Sequence, residues 1–377
     1  MARLAKKKIG VKKGVQKTRR KPSARRPRGV LRKKQPPFEK FEGNPIITPR
    51  EGNEWESKAT FNPSALHVEG NVHILYRAIG DGDVSVLGYA VSRDGFSVDE
   101  RGEQPAFAPH KIKIFSPEER MQAPLIYSSG GGWNGGCEDP RLTLIDGRVY
   151  LIYTAFDGWA SLRRALTSIS LEDFLEKRWK WEKPVLISPP GEIHKNWVLF
   201  PEKINGKYAI LHSISPTVRI DYFDSLDIFD GTKFIQSVPG NRQEEIGWGV
   251  MKGAGPPPIK TEDGWLLFYH GLDKLDPGRY KLGAMLLDLK DPTKVLYRSP
   301  RPILEPDEYY ENHGFKGGII YSCGAVVIGN DLLIYYGGAD AVVCVATAKL
   351  DQFLKELKTH EIPKLKAVKK RSRNARN

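Results

Sequence analysis

The stretch DGRVYLIYTA (146–155) predicts a tight turn followed by a β-strand. Asp-Gly is a strong hairpin signal, and the run behind it is rich in the branched and aromatic residues that sheets prefer. Related stretches recur along the chain, each with a Gly-containing turn and an apolar strand: EGNVHILYRA (69–78), NGKYAILHSI (205–214), DGWLLFYHG (263–271) and GNDLLIYYGG (329–338). The chain therefore contains an internal repeat with five copies.

A second strand follows each copy after a short gap, as in VLGYAVSRDG (86–95) and RRALTSISLED (163–173). The copies begin 58 to 77 residues apart, which is longer than one hairpin and suits a four-stranded sheet. We predict an all-β fold, a five-bladed β-propeller. An irregular pair of β-sandwiches or a barrel is the alternative. Short amphipathic helices are predicted at 171–181 and 350–360.

Charge is distributed unevenly along the chain. Residues 1–35 contain 16 Lys or Arg and no acid, residues 363–377 contain 7 and no acid, and the stretch between them carries 36 basic and 45 acidic residues. Because such tails cannot bury a core, we predict a disordered basic tail at 1–37, a propeller domain at 38–350, and a short helix with a second basic tail at 351–377. The first tail is suited to non-specific binding of nucleic acid or an anionic surface.

Cysteine content and short motifs limit the chemistry. Only three cysteines occur, far apart and without metal-ligand spacing, which predicts no disulfide scaffold and a reducing, cytoplasmic location. No apolar run approaches the roughly 20 residues of a membrane helix. The chain has neither an HExxH motif nor an acidic calcium loop, so we predict no metal and no resident cofactor.

The segment NGGCEDPRLTLIDG (134–147) places two acids and a guanidinium around a proline, directly before a strand of the repeat. A turn is the simplest interpretation, because Asp-Pro commonly starts turns. The functional interpretation is an active site, since a carboxylate can transfer a proton and a guanidinium can hold an anion. The segment alone leaves both interpretations open.

Five motifs taken together resemble glycoside hydrolase family 130, over about residues 40–350. They are FNPSAL with HILYRA (61–66 and 73–78), GCEDPRLTLIDG (136–147), KNWVLFPEKINGKYAILH (195–212), GAGPPPIKTEDGWLLFYHG (253–271) and YYGGAD (335–340). The resemblance implies a five-bladed propeller enzyme that acts on β-mannosides. It implies mostly phosphorolysis, in which inorganic phosphate, a co-substrate, cleaves the bond with inversion and releases α-mannose 1-phosphate. Some members are hydrolases.

The resemblance also implies roles for single residues. Asp139 matches the general acid that protonates the leaving oxygen, in this family through a sugar hydroxyl. The predicted phosphate-binding residues are Arg77, Lys195, Asn196 and His270, with Lys203 and Lys252 as further candidates. The predicted substrate-binding residues are Asn62, Asp83, Glu138, Arg141 and Asp340, and Trp55, Tyr76 and Trp197 are predicted platforms for a pyranose ring.

One position departs from the family pattern. Many phosphorylases of the family carry an arginine directly after the histidine of the LH strand, where this chain has Ser213. An inverting β-mannoside hydrolase of the same family is therefore the alternative to a phosphorylase. Hydrolysis with inversion needs a second carboxylate as base, and the candidates are Glu202, Glu245 and Glu311.

The expected partners are a β-linked manno-oligosaccharide and inorganic phosphate, and a homo-oligomer is left open. The stretch at 53–66 is closer to members that act on β-1,2-linked mannose than to those that act on mannosyl-glucose. Two other classes remain as alternatives. One is a non-catalytic propeller that binds nucleic acid or a surface through its basic tails. The other is a glucan or arabinan hydrolase on the same propeller.

Overall fold

Antiparallel strands make up most of the structure, and the predicted all-β class is confirmed. The computed structural model describes residues 38–108, 135–158, 162–237 and 245–360, all within one unit. The predicted tails at 1–37 and 361–377 lie outside the described residues. No helix in the described part of the chain has the length and apolar character needed to cross a membrane.

The strands form five consecutive antiparallel meanders. The first contains β2 (Ala59–Val68), β3 (Asn71–Ile79), β4 (Ser85–Ser92) and the short β5 (Glu100–Arg101). The second contains β6 (Gly136–Ile145), β7 (Arg148–Phe156), β8 (Leu162–Ser170) and β9 (Val185–Leu186). A single parallel pair, Ser85 with Gly136, joins the two.

The third meander contains β10 (Val198–Leu199), β11 (Tyr208–Ser213) and β12 (Arg219–Phe223). The fourth contains β13 (Glu245–Ile246), β14 (Gly249–Ala254), β15 (Ile259–Thr261), β16 (Gly264–Asp273), β17 (Tyr280–Leu287) and β18 (Val295–Arg298). The fifth contains β19 (Ile320–Ile328), β20 (Asp331–Gly338) and β21 (Val342–Lys349). The outer strand of this last sheet is β1 (Glu39–Lys40), which pairs with β21.

Each predicted strand is present: the five repeat copies correspond to β3, β7, β11, β16 and β20. The helix predicted at 350–360 spans Leu350–Leu357 (α3), and its apolar face is buried. The helix predicted at 171–181 is only Leu171–Leu175 (α1), because Lys177 adopts a left-handed backbone with φ 57°. A one-turn helix, α2 (Tyr309–Asn312), and a 3-10 turn, Leu226–Ile228, complete the elements.

The apolar core is divided into layers between neighbouring meanders. Leu75 and Leu87 of the first meander pack with Leu151 of the second, and similar layers separate the second from the third, the third from the fourth and the fourth from the fifth. A further layer joins Ile74 of the first meander to Tyr335 of the fifth. Consecutive meanders therefore pack face to face, and the last also packs on the first.

A β-bulge interrupts the first long strand of four of the meanders. The register shifts between Phe61 and Ser64 in β2 and between Glu138 and Arg141 in β6, and similar shifts occur in β14 and β19. Asn62 and Asp139 occupy the first two bulges with φ 47° and 51°, a left-handed conformation that Asn and Asp tolerate better than most residues. Because a bulge redirects side chains, these positions turn toward neighbouring meanders.

Candidate active site

The two left-handed bulge residues meet each other. Asn62 Nδ2 donates to Asp139 Oδ1 at 2.8 Å, and both side chains are almost fully buried. The Asp-Pro pair of CEDPR thus lies within a strand, which contradicts the interpretation as a simple turn, and the hairpin turn comes at Asp146 and Gly147 as the Asp-Gly signal indicated. The bulge places a carboxylate in a buried polar cluster shared by several meanders.

Arg77 of β3 binds both neighbouring acids. Its Nη2 donates to Glu138 Oε1 at 2.9 Å, and its Nη1 lies 3.6 Å from Asp139 Oδ1. Ser85 Oγ accepts from Arg77 Nε at 2.9 Å, and the guanidinium lies over the ring of Phe61. Since the side chain is buried and held on three sides, its charge is fixed beside Asp139.

Arg141 ties three meanders together. Its Nε donates to Gly255 O at 2.9 Å, and its Nη1 donates to Asp139 O at 3.0 Å. Its Nη2 donates to Asn196 Oδ1 at 3.0 Å. The fork geometry of a guanidinium suits these divergent acceptors. The predicted role of Arg141 in binding substrate stays a prediction, but the structure adds a bracing role.

Asp139 is an ionised carboxylate in the ligand-free protein. Burial acts first and raises its pKa. The charges of Arg77, Lys195 and Arg141, with the hydrogen bond from Asn62, outweigh burial and lower the pKa to about 2. A general acid must carry a proton when the bond breaks, so the cationic surroundings have to change before Asp139 can act.

His270 of β16 is a neutral imidazole. Burial, and then Arg141, lower its pKa to about 3. Its Nε2 accepts from the backbone N–H of Ser322 at 3.0 Å, which leaves the proton on Nδ1. The buried Nδ1 has no hydrogen-bond partner in the described residues. His270 therefore presents an unused N–H donor and no positive charge, and its predicted role in binding phosphate stays a prediction.

The pH dependence of the free energy of unfolding tests whether His270 is neutral. The pKa of His270 in the folded protein lies below its value of about 6.5 in the unfolded chain. The contribution of neutral His270 to the free energy of unfolding is therefore fully present above pH 6.5 and declines as pH falls toward 3. Between pH 8 and 5 the wild type should lose about 2 kcal/mol more free energy of unfolding than His270→Gln. Urea unfolding at both pH values measures the difference. The variant His313→Gln, at an exposed histidine, is the matched control. The same pH slope in His270→Gln as in the wild type would contradict the assignment.

Two lysines and an asparagine complete the positive side of the cluster. Burial, and then repulsion from Lys195, lower the pKa of Lys252, so the two ammonium groups lie near each other. Asn196 has a left-handed backbone (φ 64°), and its Oδ1 accepts from Tyr321 Oη at 2.6 Å. A Cβ on Gly253 would meet the Asn196 amide at 2.5 Å, so glycine is required for this approach. Two ammonium groups close to each other repel, and this repulsion favours binding of an anionic ligand between them.

The other predicted substrate residues lie around the same centre. Asp340 is buried, has φ 53° and lies 3.7 Å from Lys316 Nζ. Burial raises its pKa, while Lys316 and Arg77 oppose the rise. Asp83 is half-exposed and pairs with Lys58 at 2.7 Å, two residues before Ser85. The structure brings Asn62, Glu138, Arg141 and Asp340 toward Asp139, and it leaves Asp83 at the edge.

The three candidate bases lie elsewhere. Glu202 is exposed and pairs with Lys260, while its neighbour Lys203 binds Asp146 at 2.7 Å. Asp146 follows Asp139 by seven residues along a strand, roughly 20 Å away. Glu245 is exposed and lies 3.6 Å from Lys274. These two carboxylates are exposed and lie beside surface lysines, and their predicted role as bases stays a prediction.

Glu311 is buried but fully used by the fold. Its Oε2 accepts from Lys40 Nζ at 2.7 Å and from the N–H groups of Asp307 and Glu308, and its Oε1 accepts from Tyr336 Oη at 2.8 Å. It caps α2 in a capping box. A carboxylate with this many donors is held as a structural anion, so the prediction of Glu311 as a base conflicts with its contacts.

The prediction that Tyr76 and Trp197 stack on a sugar ring is wrong. Tyr76 and Trp197 are completely enclosed in the core, and only Trp55 keeps an accessible ring. Tyr321 was missed: its ring stacks on His270 at 3.9 Å between centroids. It lies in β19 one residue before Ser322, where the register with β20 shifts, and no sequence motif marked it. Among the described residues no group of His, Cys, Asp and Glu is arranged to hold a metal.

Comparison with known proteins identifies the family. A family model described as beta-1,4-mannooligosaccharide phosphorylase, that of glycoside hydrolase family 130, matches residues 37–359. The chain belongs to glycoside hydrolase family 130. The resemblance predicted from the sequence motifs is therefore confirmed, and its boundaries agree with the described unit.

The chain matches phosphorylases over nearly the full length of those relatives. A 1,2-beta-oligomannan phosphorylase of Thermoanaerobacter sp. (strain X514) is 35% identical over 322 residues, 83% of this chain and 97% of that protein. A beta-1,2-mannobiose phosphorylase of the same organism is 36% identical, with the same coverage. The chain is also similar to the solved structure of a beta-1,2-mannobiose phosphorylase from Listeria innocua, with a TM-score of 0.63 and 26% identity. That match covers 86% of this family 130 chain and 99% of the Listeria chain.

Proposed function

We propose that this chain is an inverting β-mannoside phosphorylase that cleaves β-1,2-linked manno-oligosaccharides with inorganic phosphate. The class of enzyme predicted from the sequence, a glycoside phosphorylase acting on β-mannosides, is confirmed by the family and by its phosphorylase relatives. The β-1,2 linkage rests on the similarity to β-1,2-specific enzymes. The observation that carries the mechanism is the buried carboxylate of Asp139, which lies beside the charges of Arg77, Arg141 and Lys195.

The proposed phosphate site lies where cationic and polar donor groups lie close together. Lys195 and Lys252 supply charge, and His270 supplies its Nδ1–H. Arg141 and Tyr321 orient Asn196 through its Oδ1, which leaves the amide N–H₂ group of Asn196 to face the anion. Phosphate is itself a nucleophile, so no protein carboxylate has to activate it. This arrangement offsets the missing arginine at Ser213, because other cations are present.

Binding of phosphate also accounts for how Asp139 gains the proton that a general acid needs. The dianion neutralises part of the cationic field that lowers the pKa of Asp139, and its own negative charge raises that pKa further. Binding of phosphate thus favours a protonated acid. In the reaction the proton passes to the departing sugar oxygen, directly or through a sugar hydroxyl. Phosphate attacks the anomeric carbon from the opposite face and gives α-mannose 1-phosphate.

The sugar-binding residues and the architecture are part of the same proposal. Asn62, Glu138, Arg141 and Asp340 orient the mannosyl residue around Asp139, and Asp83 lies at the entrance. The five meanders are five propeller blades, supported by the core layer that joins the fifth meander to the first. We also propose a reducing, cytoplasmic setting, in line with three buried free thiols.

Product analysis tests the reaction. The purified protein is incubated with β-1,2-mannobiose, with and without inorganic phosphate. We expect mannose 1-phosphate and mannose only when phosphate is present. Equal release of free mannose without phosphate would contradict phosphorolysis. It would make Asp340, the buried carboxylate with a raised pKa, the base to mutate.

A matched pair of lysine variants locates the anion site in the same assay. Lys252→Ala removes a half-buried ammonium beside Lys195, and we expect the KM for phosphate to rise about tenfold or more. Lys260→Ala removes an exposed ammonium that pairs with Glu202, and the KM should stay unchanged. Equal effects of the two variants would place phosphate elsewhere.

A further inference from the structure

A cavity lies beside the first meander, and its lining does not include the cluster around Asp139. It has a volume of about 850 Å³ and lies between the loop at 50–55, the β3–β4 loop and residues 103–105. Hydrogen bonds hold these segments together: Asp81 N donates to Glu54 O at 2.8 Å, and Trp55 Nε1 donates to Glu103 O at 3.1 Å. A cavity of this size holds a small ligand such as one or more sugar rings.

The lining of this cavity suits an uncharged polyol. Trp55 contributes a half-buried indole ring, and Glu51 and Glu54 contribute exposed carboxylates that make no hydrogen bond or ion pair with other described residues. The one cation in the lining, Arg50, is occupied by Glu56 and Glu103. An aromatic face with free acceptors binds the faces and hydroxyls of sugars. The same acids repel phosphate and sugar phosphates.

The position of the cavity relates it to the substrate path. Val84 lines the cavity, and the next residue, Ser85, accepts from Arg77 of the catalytic cluster. Ser85 pairs with Gly136, three residues before Asp139, so roughly 10 Å of strand separates Ser85 from the acid. That distance exceeds one sugar ring. A disaccharide at Asp139 would not fill the cavity, whereas a longer chain could reach it.

We infer that this cavity is a distal subsite that binds mannosyl residues of longer substrates, beyond the disaccharide unit that is cleaved. The inference rests on the proposed β-mannoside phosphorylase function and adds the preference for chain length. Trp55 provides the stacking surface, and Glu51 and Glu54 accept hydrogen bonds from sugar hydroxyls. The enzyme should therefore favour oligomannosides over mannobiose.

The test compares two substrates in two variants. Gly82 lines the cavity, a Cβ there would meet no atom within 4 Å, and its φ is not in the left-handed region. Gly82→Tyr should therefore fill the cavity without strain, and Glu51→Ala should remove a hydrogen-bond acceptor from its lining. For both we expect kcat/KM for β-1,2-mannotetraose to fall about tenfold, while kcat/KM for mannobiose, the internal control, stays the same.

The ratio of the two kcat/KM values is the readout. A ratio that stays at the wild-type value in both variants overturns the distal subsite, including the case in which both substrates lose activity equally. Calorimetric titration with mannotetraose, without phosphate, provides a measurement that needs no turnover. Wild-type protein should bind it more tightly than Gly82→Tyr. If the wild type fails to phosphorolyse mannobiose, the proposed function fails, and this binding comparison still decides the subsite.

Discussion

Replacing Asp139 by asparagine is expected to lower kcat for phosphorolysis by about 10³-fold while the fold is retained. Asparagine has nearly the same shape and still offers an oxygen to Asn62 Nδ2, which donates at 2.8 Å in the wild type. It cannot give a proton to the departing sugar oxygen. Steady-state kinetics with β-1,2-mannobiose and phosphate measure the loss, and circular dichroism checks the fold.

The acid role has its own signature. An aryl β-mannoside with an acidic leaving group needs little protonation, so Asp139→Asn should lose far less activity on it than on mannobiose. Asp146→Asn, at the far end of the same strand and exposed in a turn, is the matched control and should leave kcat unchanged. Near-normal mannobiose turnover by Asp139→Asn would remove Asp139 from proton transfer.

Replacing Arg141 by lysine is expected to lower the free energy of unfolding by about 3 kcal/mol and to reduce activity strongly. One ammonium cannot reach Gly255 O, Asp139 O and Asn196 Oδ1, which the guanidinium now satisfies together. Buried acceptors from three meanders would be left without donors. Urea unfolding at constant pH measures the change.

A surface arginine provides the control for this substitution. Arg148 of β7 is 40% exposed and lies 3.4 Å from Glu182. Arg148→Lys should change the free energy of unfolding by no more than about 0.5 kcal/mol. If Arg141→Lys were equally mild, Arg141 would not be the brace that its contacts suggest, and the activity assay would then isolate its effect on the substrate.

Local patterns predicted the strands well because each strand is encoded by its own turn and its own apolar residues. The Asp-Gly turn before β7 and the Gly-Asn turn before β20 illustrate this. The strands that precede those turns were harder to recognise. β2 and β6 carry Asn-Pro and Asp-Pro, which resemble loop sequences, because bulges in these strands hold left-handed residues.

Motifs in the sequence predicted which residues belong to the site, but they did not predict the contacts and charges of those residues. Asp139 and His270 were found through the resemblance, but the charge state of His270 depends on burial by residues distant in sequence. Glu311 shows the same limit more clearly. In the sequence it is an acid in a loop, and in the structure Lys40, 271 positions away, neutralises it. No local signal encodes such a pairing.

The pairing of β1 with β21 has a consequence for how the molecule is made. Glu39 is in register with Thr347, so the fifth sheet joins the first strand of the described chain to the last. Closing so long a loop is entropically costly and slow. During synthesis on the ribosome, β1 therefore has no partner strand until β21 has been made. Pairing of β1 with β21 is therefore a late step of folding, and it completes the fifth sheet.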